Sequence, residues 1–288
     1  RRSIVDSVGL IGYGYWGKIL EPNIKKVFGE SPVIHDPLCG IFNEKAIENC
    51  SHVFVATPAG THFSVVSKLL EQNKKVFCEK PLSISKKEVD ELFYQSKLKN
   101  KSRLFVDWVF TFNDAVNFIK DSYESGDYGN IRNVSMNRLN SGPERKDVSA
   151  KWDLASHDVS ILQYIFSGKP KSVEWNCFKR NRDSFRSDTC IGIIQYQNDV
   201  LDPSYAPFDA IINSSWSYGR KNRECIFEFD AGFLHWDDSI NTIRFEGQEI
   251  DFPKTKSPLE NSIEVFKSGR YNQEDLTKRT TEILEIGE

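Results

Sequence analysis

The first 110 residues alternate short apolar runs with segments of helical periodicity, and this alternation restricts the fold more than any other feature of the sequence. The apolar runs are VGLIG, PVIHD, HVFVATP, KVFCEKP and RLFVDWVF, which begin at residues 8, 32, 52, 75 and 103. Between them, residues 16–28 and 62–73 place apolar side chains at helical spacing. Strands that alternate with helices form parallel sheets covered on both faces. The sequence therefore predicts a doubly wound parallel α/β domain over residues 1–110.

Beyond residue 130 the pattern changes to consecutive strand-like segments with turn residues between them. One example is DTCIGIIQYQ at residues 188–197, and DAG at 230–232 is typical of a hairpin turn. Strands that follow one another without crossover helices pair mainly antiparallel. Helical patterns at 258–269 and 274–287 close the chain. We expect residues 111–288 to form a second domain with a mainly antiparallel sheet.

Composition narrows the kind of partner that this chain can have. A length of 288 residues favours two domains over one. The net charge of −3 gives no overall attraction to nucleic acid or to an anionic membrane. Six cysteines without a CxxC pair favour reduced thiols in the cytoplasm over a disulfide framework or a zinc site. We therefore predict a cytoplasmic protein with no metal, nucleic-acid or membrane partner.

A glycine-rich turn follows the first apolar run and opens the first helix. It has the form Gly12-x-Gly14-x-x-Gly17, and Tyr15 and Trp16 lie within it. In this context Gly12 allows the tight turn, Gly14 lets the backbone approach a diphosphate, and Gly17 allows close packing of helix on sheet. The backbone N–H groups at the helix start can then bind the phosphates. This is typical of the dinucleotide site of a Rossmann domain.

Asp36 ends the second strand, 19 residues after Gly17, where a carboxylate can accept a hydrogen bond from a ribose 2′-hydroxyl. The next residues are Pro37 and Leu38, with no arginine to neutralise a 2′-phosphate, so NAD is favoured over NADP. The alternative is a structural turn with an incidental aspartate. Only 15 residues separate Asp36 from HVFVATP, which leaves a missing helix or a displaced short strand at CGIF as open possibilities.

The motif Glu79-Lys80-Pro81 lies at the carboxyl end of the strand KVFCEKP. Open parallel sheets bind their ligands at the edge formed by the carboxyl ends of their strands. Pro81 favours an extended backbone at Lys80, so the amine points out of the strand end. A lysine there can stabilise the alkoxide that forms when a hydroxyl-bearing carbon loses hydride. The alternative is an exposed lysine on a loop.

The stretch KWDLASHDVSIL, from Lys151, carries an acid and a histidine four residues apart. On a helix that starts near Asp153, one stripe contains Asp153, His157, Ser160 and Tyr164, at the border of the apolar face. A carboxylate beside His157 can orient its ring and raise its basicity, which suits a general base for an alcohol proton. The alternative is a capping aspartate with a structural histidine.

The glycine turn, VATPAGTH, CEKP and WDLASHD occur in an order that resembles the Gfo/Idh/MocA family of NAD(P)-dependent oxidoreductases, from about Val8 to about Pro170. The resemblance implies a Rossmann domain followed by an α/β domain whose open antiparallel sheet often forms subunit contacts, and therefore a homo-oligomer, a dimer or a tetramer. It implies catalytic roles for Lys80, Asp153 and His157. It also implies cofactor contacts in the two strand-end motifs, at Thr57, Pro58, His62 and Glu79.

Substrate contacts are expected in and beside the segment NRLNSGPERKDVSAKWDLASHD, which resembles a branch of the family associated with sugars or nucleotide sugars. The candidates are Arg138, Asn140, Arg145, Lys146, Trp152 and Ser160, where the family commonly has an aspartate at the last position. The basic residues suggest an anionic sugar, although a solvated loop would carry the same charges. The predicted function is an NAD-dependent dehydrogenase of a sugar, sugar acid or nucleotide sugar. The alternatives are a non-catalytic NAD-bound sensor or assembly subunit, and an enzyme that retains NAD during glycoside cleavage or epimerisation.

Overall fold

The computed structural model describes residues 7–98, 103–197 and 206–287. The chain divides into two compact units. The first unit contains Arg1–Val109 and Lys256–Thr281, and the second contains Phe110–Thr255 and Glu282–Glu288. The sequence prediction assigned all of residues 111–288 to the second domain. In the structure, the segment Lys256–Thr281 returns to the first unit instead.

Parallel strands form the sheet of the first unit. They are β1 Val8–Ile11, β2 Val33–His35, β3 His52–Val55, β4 Lys75–Glu79 and β5 Leu104–Asp107, in the order β2-β1-β3-β4-β5. Every neighbouring pair is parallel, which confirms the predicted doubly wound sheet. The strand order reverses at β1, so the crevice at the carboxyl ends of β1 and β3 is the expected ligand site.

Helices connect and cover these strands. In chain order they are α1 Tyr15–Phe28, α2 Glu44–Ile47, α3 His62–Glu71, α4 Lys86–Lys97, α5 Asp114–Ser125, α6 Ser156–Ile165, α7 Pro258–Ser268 and α8 Glu274–Glu285. Within the residues described, none of them has the length and apolar character that crossing a bilayer requires. The short connection after Asp36 is met by a one-turn α2 and by a single bridge between Asp36 and Ile41. The helix is therefore shortened rather than missing.

The two faces of the first sheet have different cores, which explains why α7 returns to this unit. Aliphatic side chains of the strands pack with α3 and α4 on one face. On the other face the rings of Phe54, Phe77 and Phe105 lie 5.2, 5.5 and 5.7 Å from the ring of Phe266 on α7. A doubly wound sheet must be covered on both faces. Helix α7 covers the phenylalanine face.

The second unit is built on an eight-stranded sheet. Its strands are β6 Ile131–Ser141, β7 Pro170–Phe178, β8 Thr189–Tyr196, β9 Phe208–Ser215, β10 Ser217–Phe229, β11 Gly232–Asp237, β12 Thr242–Phe245 and β13 Gln248–Ile250, in the order β13-β12-β11-β10-β6-β9-β8-β7. All neighbouring pairs are antiparallel except β6 with β9, which confirms the predicted mainly antiparallel sheet. Ile194 and Ile212 are fully buried on one face, whereas Ile193 and Ile211 on the opposite face are about 40% exposed.

Two of the cysteines are paired, contrary to the expectation of reduced thiols. Cys177 on β7 and Cys190 on β8 form a disulfide, with their Cα atoms 4.2 Å apart. Their strands pair so that these two residues lie directly opposite each other. That register depends on the length of the loop between the strands, so the spacing of 13 residues did not reveal it. Cys39, Cys50, Cys78 and Cys225 are free.

Candidate active site

The glycine turn has the geometry that a diphosphate site requires. Gly12 has a φ of +92°, and a Cβ atom there would lie 2.6 Å from the backbone of Ala56. A Cβ atom at Gly17 would lie 2.2 Å from the Gly12 carbonyl oxygen. By contrast, a Cβ atom at Gly14 would meet no atom within 4 Å. Gly12 and Gly17 are therefore required for packing, and Gly14 opens its backbone to a ligand.

Helix α1 begins at this turn with its N-terminus free of side-chain caps. Gly14 is the N-cap residue, it makes no side-chain hydrogen bond, and the first turn contains no acidic residue. The first N–H groups of a helix have no partner within the helix, and the helix dipole favours an anion there. Tyr15 is 81% exposed beside these groups. The turn and the helix start therefore fit the diphosphate of a dinucleotide.

Asp36 lies at the end of β2, directly beside the glycine turn. Its carboxylate accepts hydrogen bonds from the backbone N–H groups of Tyr13, Leu38 and Cys39, at 2.6, 3.0 and 3.3 Å. Burial by itself would raise the pKa of this carboxyl, but the hydrogen bonds from Tyr13 and from the turn after Asp36 outweigh it and lower the pKa. The Cys39 thiol also donates to this carboxylate and lowers its pKa further.

His62 has a different role from the predicted cofactor contact. It is 1% exposed, and its two ring nitrogens lie 2.7 Å from the Pro81 carbonyl oxygen and 2.8 Å from the Thr57 carbonyl oxygen. The ring therefore joins the loop after β3 to the loop after β4. Thr57 is half-buried and Pro58 is exposed at the start of the loop after β3, so their contact with a cofactor stays a prediction.

Glu79 and Lys80 occupy the carboxyl end of β4, as the sequence indicates. The indole N–H of Trp16, in the first turn of α1, donates to the Glu79 carboxylate. Trp16 therefore connects the glycine turn to the strand end that carries Lys80. Lys80 is half-buried and precedes a cis peptide bond to Pro81.

In the second unit, the helix that carries the acid and the histidine does not start as a regular α-helix. Lys151–Ala155 form a π-helical turn, and α6 continues from Ser156. The wide turn changes the angle between Asp153 and His157, so the predicted regular stripe is wrong at its start. Ser160 is fully buried and its hydroxyl donates to the His157 carbonyl oxygen at 2.7 Å. Its predicted contact with substrate is therefore corrected. Turns of this kind are frequent at functional sites.

Asp153 is held by a residue that the sequence did not single out. The indole N–H of Trp216 donates to its carboxylate at 3.1 Å. The Arg145 guanidinium lies 3.7 Å from the other carboxylate oxygen and is about half exposed. Trp216 is itself fixed by its backbone N–H, which donates to the Asp188 carbonyl oxygen at 2.9 Å. A lone tryptophan between serines in NSSWSYG gave no periodic signal.

The His157 ring packs edge to face against Phe110, with the ring centroids 5.1 Å apart at 81°. This contact fixes the plane of the imidazole within the second unit. The support of His157 by Asp153 stays a prediction.

Arg138 is a buried structural residue and not the predicted substrate contact. It is 3% exposed, and its guanidinium donates twice to the Asp158 carboxylate, at 2.7 and 3.0 Å. It also lies over the Phe110 ring, 4.5 Å from the centroid. Burial opposes the charge of Arg138, but Asp158 outweighs it and raises the pKa of the guanidinium. This pair gives the fully buried Asp158 carboxylate its counter-charge.

The remaining predicted substrate residues divide by exposure. Trp152 is 1% exposed and belongs to the core, which corrects its predicted contact with substrate. Asn140 is half-buried, and its side-chain carbonyl oxygen is buried without a hydrogen-bond partner among the residues described. Arg145 and Lys146 are exposed. These three stay predictions. Across the described part of the chain, no group of three or more metal-binding side chains is gathered.

A doubly wound sheet, an open glycine turn at a helix start and a carboxylate at the next strand end define a dinucleotide-binding protein of the Rossmann class. Residues 22–107 match the family model described as the oxidoreductase family with an NAD-binding Rossmann fold, and residues 116–226 match the GFO/IDH/MocA C-terminal domain. The chain belongs to the Gfo/Idh/MocA family of oxidoreductases. The glycine turn itself precedes the matched range.

Individual relatives are distant. Myo-inositol 2-dehydrogenase of Thermotoga maritima is 26% identical over 189 residues, which are 58% of this chain and 56% of that protein. The chain spans about half the length of the first curated relatives it matches. Among solved structures, UDP-N-acetylglucosamine 3-dehydrogenase of Acidithiobacillus ferrooxidans has a TM-score of 0.75 at 18% identity, covering 96% of this chain and 95% of that one. A protein of Magnetospirillum magnetotacticum assigned as an oxidoreductase has a TM-score of 0.79 at 20% identity, covering 96% and 98%. At these identities the structures show the fold alone.

Proposed function

We propose that the chain is an NAD-dependent dehydrogenase that acts on a hydroxyl-bearing carbon of a sugar, a sugar acid or a nucleotide sugar. The observation that carries the proposal is the open backbone at Gly14, at an uncapped helix start beside the Asp36 carboxylate. Membership of an oxidoreductase family supports a redox reaction. Relatives named as dehydrogenases of inositol and of UDP-N-acetylglucosamine support a hydroxyl-rich ring as substrate.

The Asp36 carboxylate favours NAD over NADP. Its pKa is lowered by the surrounding N–H groups, so the group is ionised at neutral pH. A 2′-phosphate would bring more negative charge towards this carboxylate, and the residues that follow, Pro37 and Leu38, offer no cation. A ribose 2′-hydroxyl would instead donate to it.

The proposed chemistry assigns one role to each polar residue. The glycine turn and Asp36 would hold NAD, which when bound would supply the acceptor for the hydride that leaves the hydroxyl-bearing carbon. His157 removes the hydroxyl proton as a general base. Asp153, fixed by Trp216, stabilises the imidazolium that results. The Lys80 ammonium stabilises the negative charge that develops on the oxygen.

Arg145 supports an anionic substrate, such as a uronate or a nucleotide-linked sugar. It is 3.7 Å from Asp153 and about half exposed, and Lys146 beside it is also exposed. An exposed guanidinium next to Asp153 can bind a carboxylate or a phosphate.

We also propose a homo-oligomer, a dimer or a tetramer, which the exposed isoleucines of the second sheet support. A cytoplasmic location has support from the four free cysteines, while the Cys177–Cys190 disulfide counts against it.

The test is the formation of NADH, measured by its absorbance, with a panel of sugars, uronates and nucleotide sugars. With the substrate so found, Lys80→Met and His157→Asn should each lower kcat by about 10²- to 10⁴-fold with little change in NAD affinity. Lys87→Met, at an exposed lysine of α4, is the control and should behave as the wild type. Normal turnover by both site variants would disprove the assignment.

Two other outcomes separate the alternatives. Transient reduction of bound cofactor without release of NADH would identify an enzyme that retains NAD. Binding of NAD without reduction by any member of the panel would favour a sensor or an assembly subunit.

A further inference from the structure

Two carboxyl groups lie side by side at the carboxyl edge of the first sheet. Glu79 ends β4 and Asp107 ends β5, and the register pairs them directly. Adjacent strands are about 4.8 Å apart, and residues paired in register point to the same face of the sheet. The pair Phe77 and Phe105, two residues earlier on each strand, faces α7. Glu79 and Asp107 therefore point into the same layer, and they are 8% and 1% exposed.

The Glu79 carboxylate has a hydrogen-bond donor, whereas the Asp107 carboxylate has almost none. Trp16 donates its indole N–H to Glu79. Both carboxylate oxygens of Asp107 are buried, and no hydrogen bond reaches them from the residues described. The hydroxyl of Ser262 on α7 is nearby, but it donates to the Leu259 carbonyl oxygen at 3.0 Å. A buried carboxylate with at most one weak donor is costly, because it has lost water and received little in its place.

The charges around Asp107 also disfavour its ionised form. Burial, and then the negative charge of Glu79, raise the pKa of the Asp107 carboxyl well above its usual range. Ser262 and the Lys80 ammonium act in the opposite direction and offset this only in part. These are the polar and charged groups that act on Asp107 from β4, from the loop after it and from α7. Two neighbouring buried carboxyls of this kind cannot both ionise at low cost.

We propose that Glu79 and Asp107 share one proton, and that protonated Asp107 is a positioning residue that holds Glu79 where it fixes Trp16 and the glycine turn. The link to the glycine turn rests on the proposed function, because it concerns the binding of NAD there. Loss of the shared proton would place two negative charges next to each other, displace Glu79 and release Trp16. NAD affinity should therefore fall as the pH rises through the titration of the pair.

The first experiment needs no cofactor. The infrared spectrum of the wild type without NAD, at neutral pH, should contain the C=O stretch of a protonated carboxylic acid. This band should be lost in Asp107→Asn, so it should appear in the difference between the two spectra. Asp188→Asn is the matched control, because Asp188 is also fully buried but its pKa is lowered by hydrogen bonds that outweigh burial. The control should retain the band. A band that is absent from the wild type, or that persists unchanged in Asp107→Asn, overturns the proposal.

Glu79→Gln tests the sharing itself. This variant removes the neighbouring charge, so the pH at which the band disappears should fall. An unchanged pH would show that the two carboxyls do not interact, and it would refute the pair even if Asp107→Asn did not fold.

The pH dependence of NAD affinity, measured in the wild type and in Asp107→Asn, separates positioning from a merely structural role. The wild type should lose NAD affinity at alkaline pH by up to about tenfold per pH unit, and Asp107→Asn should not. Parallel pH profiles in both proteins overturn the positioning role. If NAD fails to bind to either protein, the proposed function is refuted, and the infrared band alone then decides whether the pair exists.

The pH dependence of protein stability tests the raised pKa of Asp107 independently of NAD. The pKa of Asp107 is higher in the folded chain than its ordinary value of 3.8. Its contribution to wild-type stability is therefore fully present below about pH 4 and is lost as the pH rises towards the folded pKa. Asp107→Asn lacks this loss. Between pH 4 and neutrality the urea midpoint of the variant should therefore rise relative to that of the wild type. A difference between the two midpoints that does not change with pH would contradict a raised pKa.

Discussion

At the scale of single residues, the position of the Asp153 carboxylate depends on a tryptophan that is distant in the sequence. Trp216 donates to Asp153 at 3.1 Å, and the backbone of Trp216 is fixed in turn by Asp188. Asp188 accepts hydrogen bonds from the backbone N–H groups of Arg180 and Asn181, and from nearby hydroxyls. The loop after β7 thereby determines where Asp153 points.

Trp216→Phe removes the hydrogen bond to Asp153 and keeps most of the ring. Because a hydrogen bond to a charged acceptor contributes about 1.5–3 kcal/mol, kcat/KM should fall about 10- to 100-fold. Steady-state kinetics with the substrate found in the panel would measure this. Trp175→Phe is the control, since its indole N–H donates to the Ile283 carbonyl oxygen and not to the site. Equal losses in the two variants would argue against a specific role for Trp216.

The sequence predicted those site residues whose role depends on local geometry. The tight turn at Gly12, the open backbone at Gly14 and the close packing at Gly17 are as their spacing indicates, because strand, turn and helix are consecutive in the chain. Their contact with a cofactor stays a prediction. Arg138 and Trp216 could not be assigned, because their partners, Asp158 and Asp153, are brought to them by the sheet of the second unit. Charge alone suggested a ligand for Arg138, and burial showed an internal ion pair instead.

At the scale of elements, the Arg138–Asp158 pair connects β6 to α6. On α6, Asp158 directly follows His157. This contact helps to determine where α6 lies on the sheet. A buried pair contributes to this placement more clearly than to net stability, because both charges lose their water. The π-helical turn before α6 was not predictable from periodicity, since the sequence pattern alone is compatible with a regular helix from Asp153.

Replacing one partner of this pair should lower the free energy of unfolding much more than replacing both. Arg138→Met leaves the Asp158 charge buried and unpaired, so the free energy of unfolding should fall by about 3–5 kcal/mol. The double variant Arg138→Met/Asp158→Leu should recover most of this loss. Urea unfolding measures both, and Arg145→Met, at an exposed arginine, should leave stability unchanged. If Arg138→Met were as stable as the wild type but bound substrate poorly, the earlier prediction of a substrate contact would be correct.

At the scale of the whole molecule, the second sheet exposes apolar side chains on one face. Ile193 on β8 and Ile211 on β9 are register partners, 41% and 40% exposed, and Ile191 is 38% exposed. Contiguous exposed apolar side chains of this kind are typical of protein contacts. The sequence indicated the alternation of these strands but did not show which face would be left uncovered.

Ile193→Lys should convert the proposed homo-oligomer to smaller species, because each copy would bury a charge in the contact. Light scattering after size exclusion would give the mass of each form. Ile240→Lys introduces the same change at a 60% exposed isoleucine in the turn before β12 and should leave the mass unaltered. A wild type that is monomeric at all concentrations would refute the proposed oligomer.

Helical periodicity predicted α7 but gave no indication of the sheet it covers, because an apolar stripe does not specify its partner. Its return to the first unit has a consequence for protein synthesis. After Phe105 the ribosome must add about 160 further residues before Phe266 is available to cover Phe54, Phe77 and Phe105. At roughly 5–20 residues per second this delay is about 8–32 s. During that time the nascent chain presents an aromatic surface that a chaperone at the exit tunnel can bind.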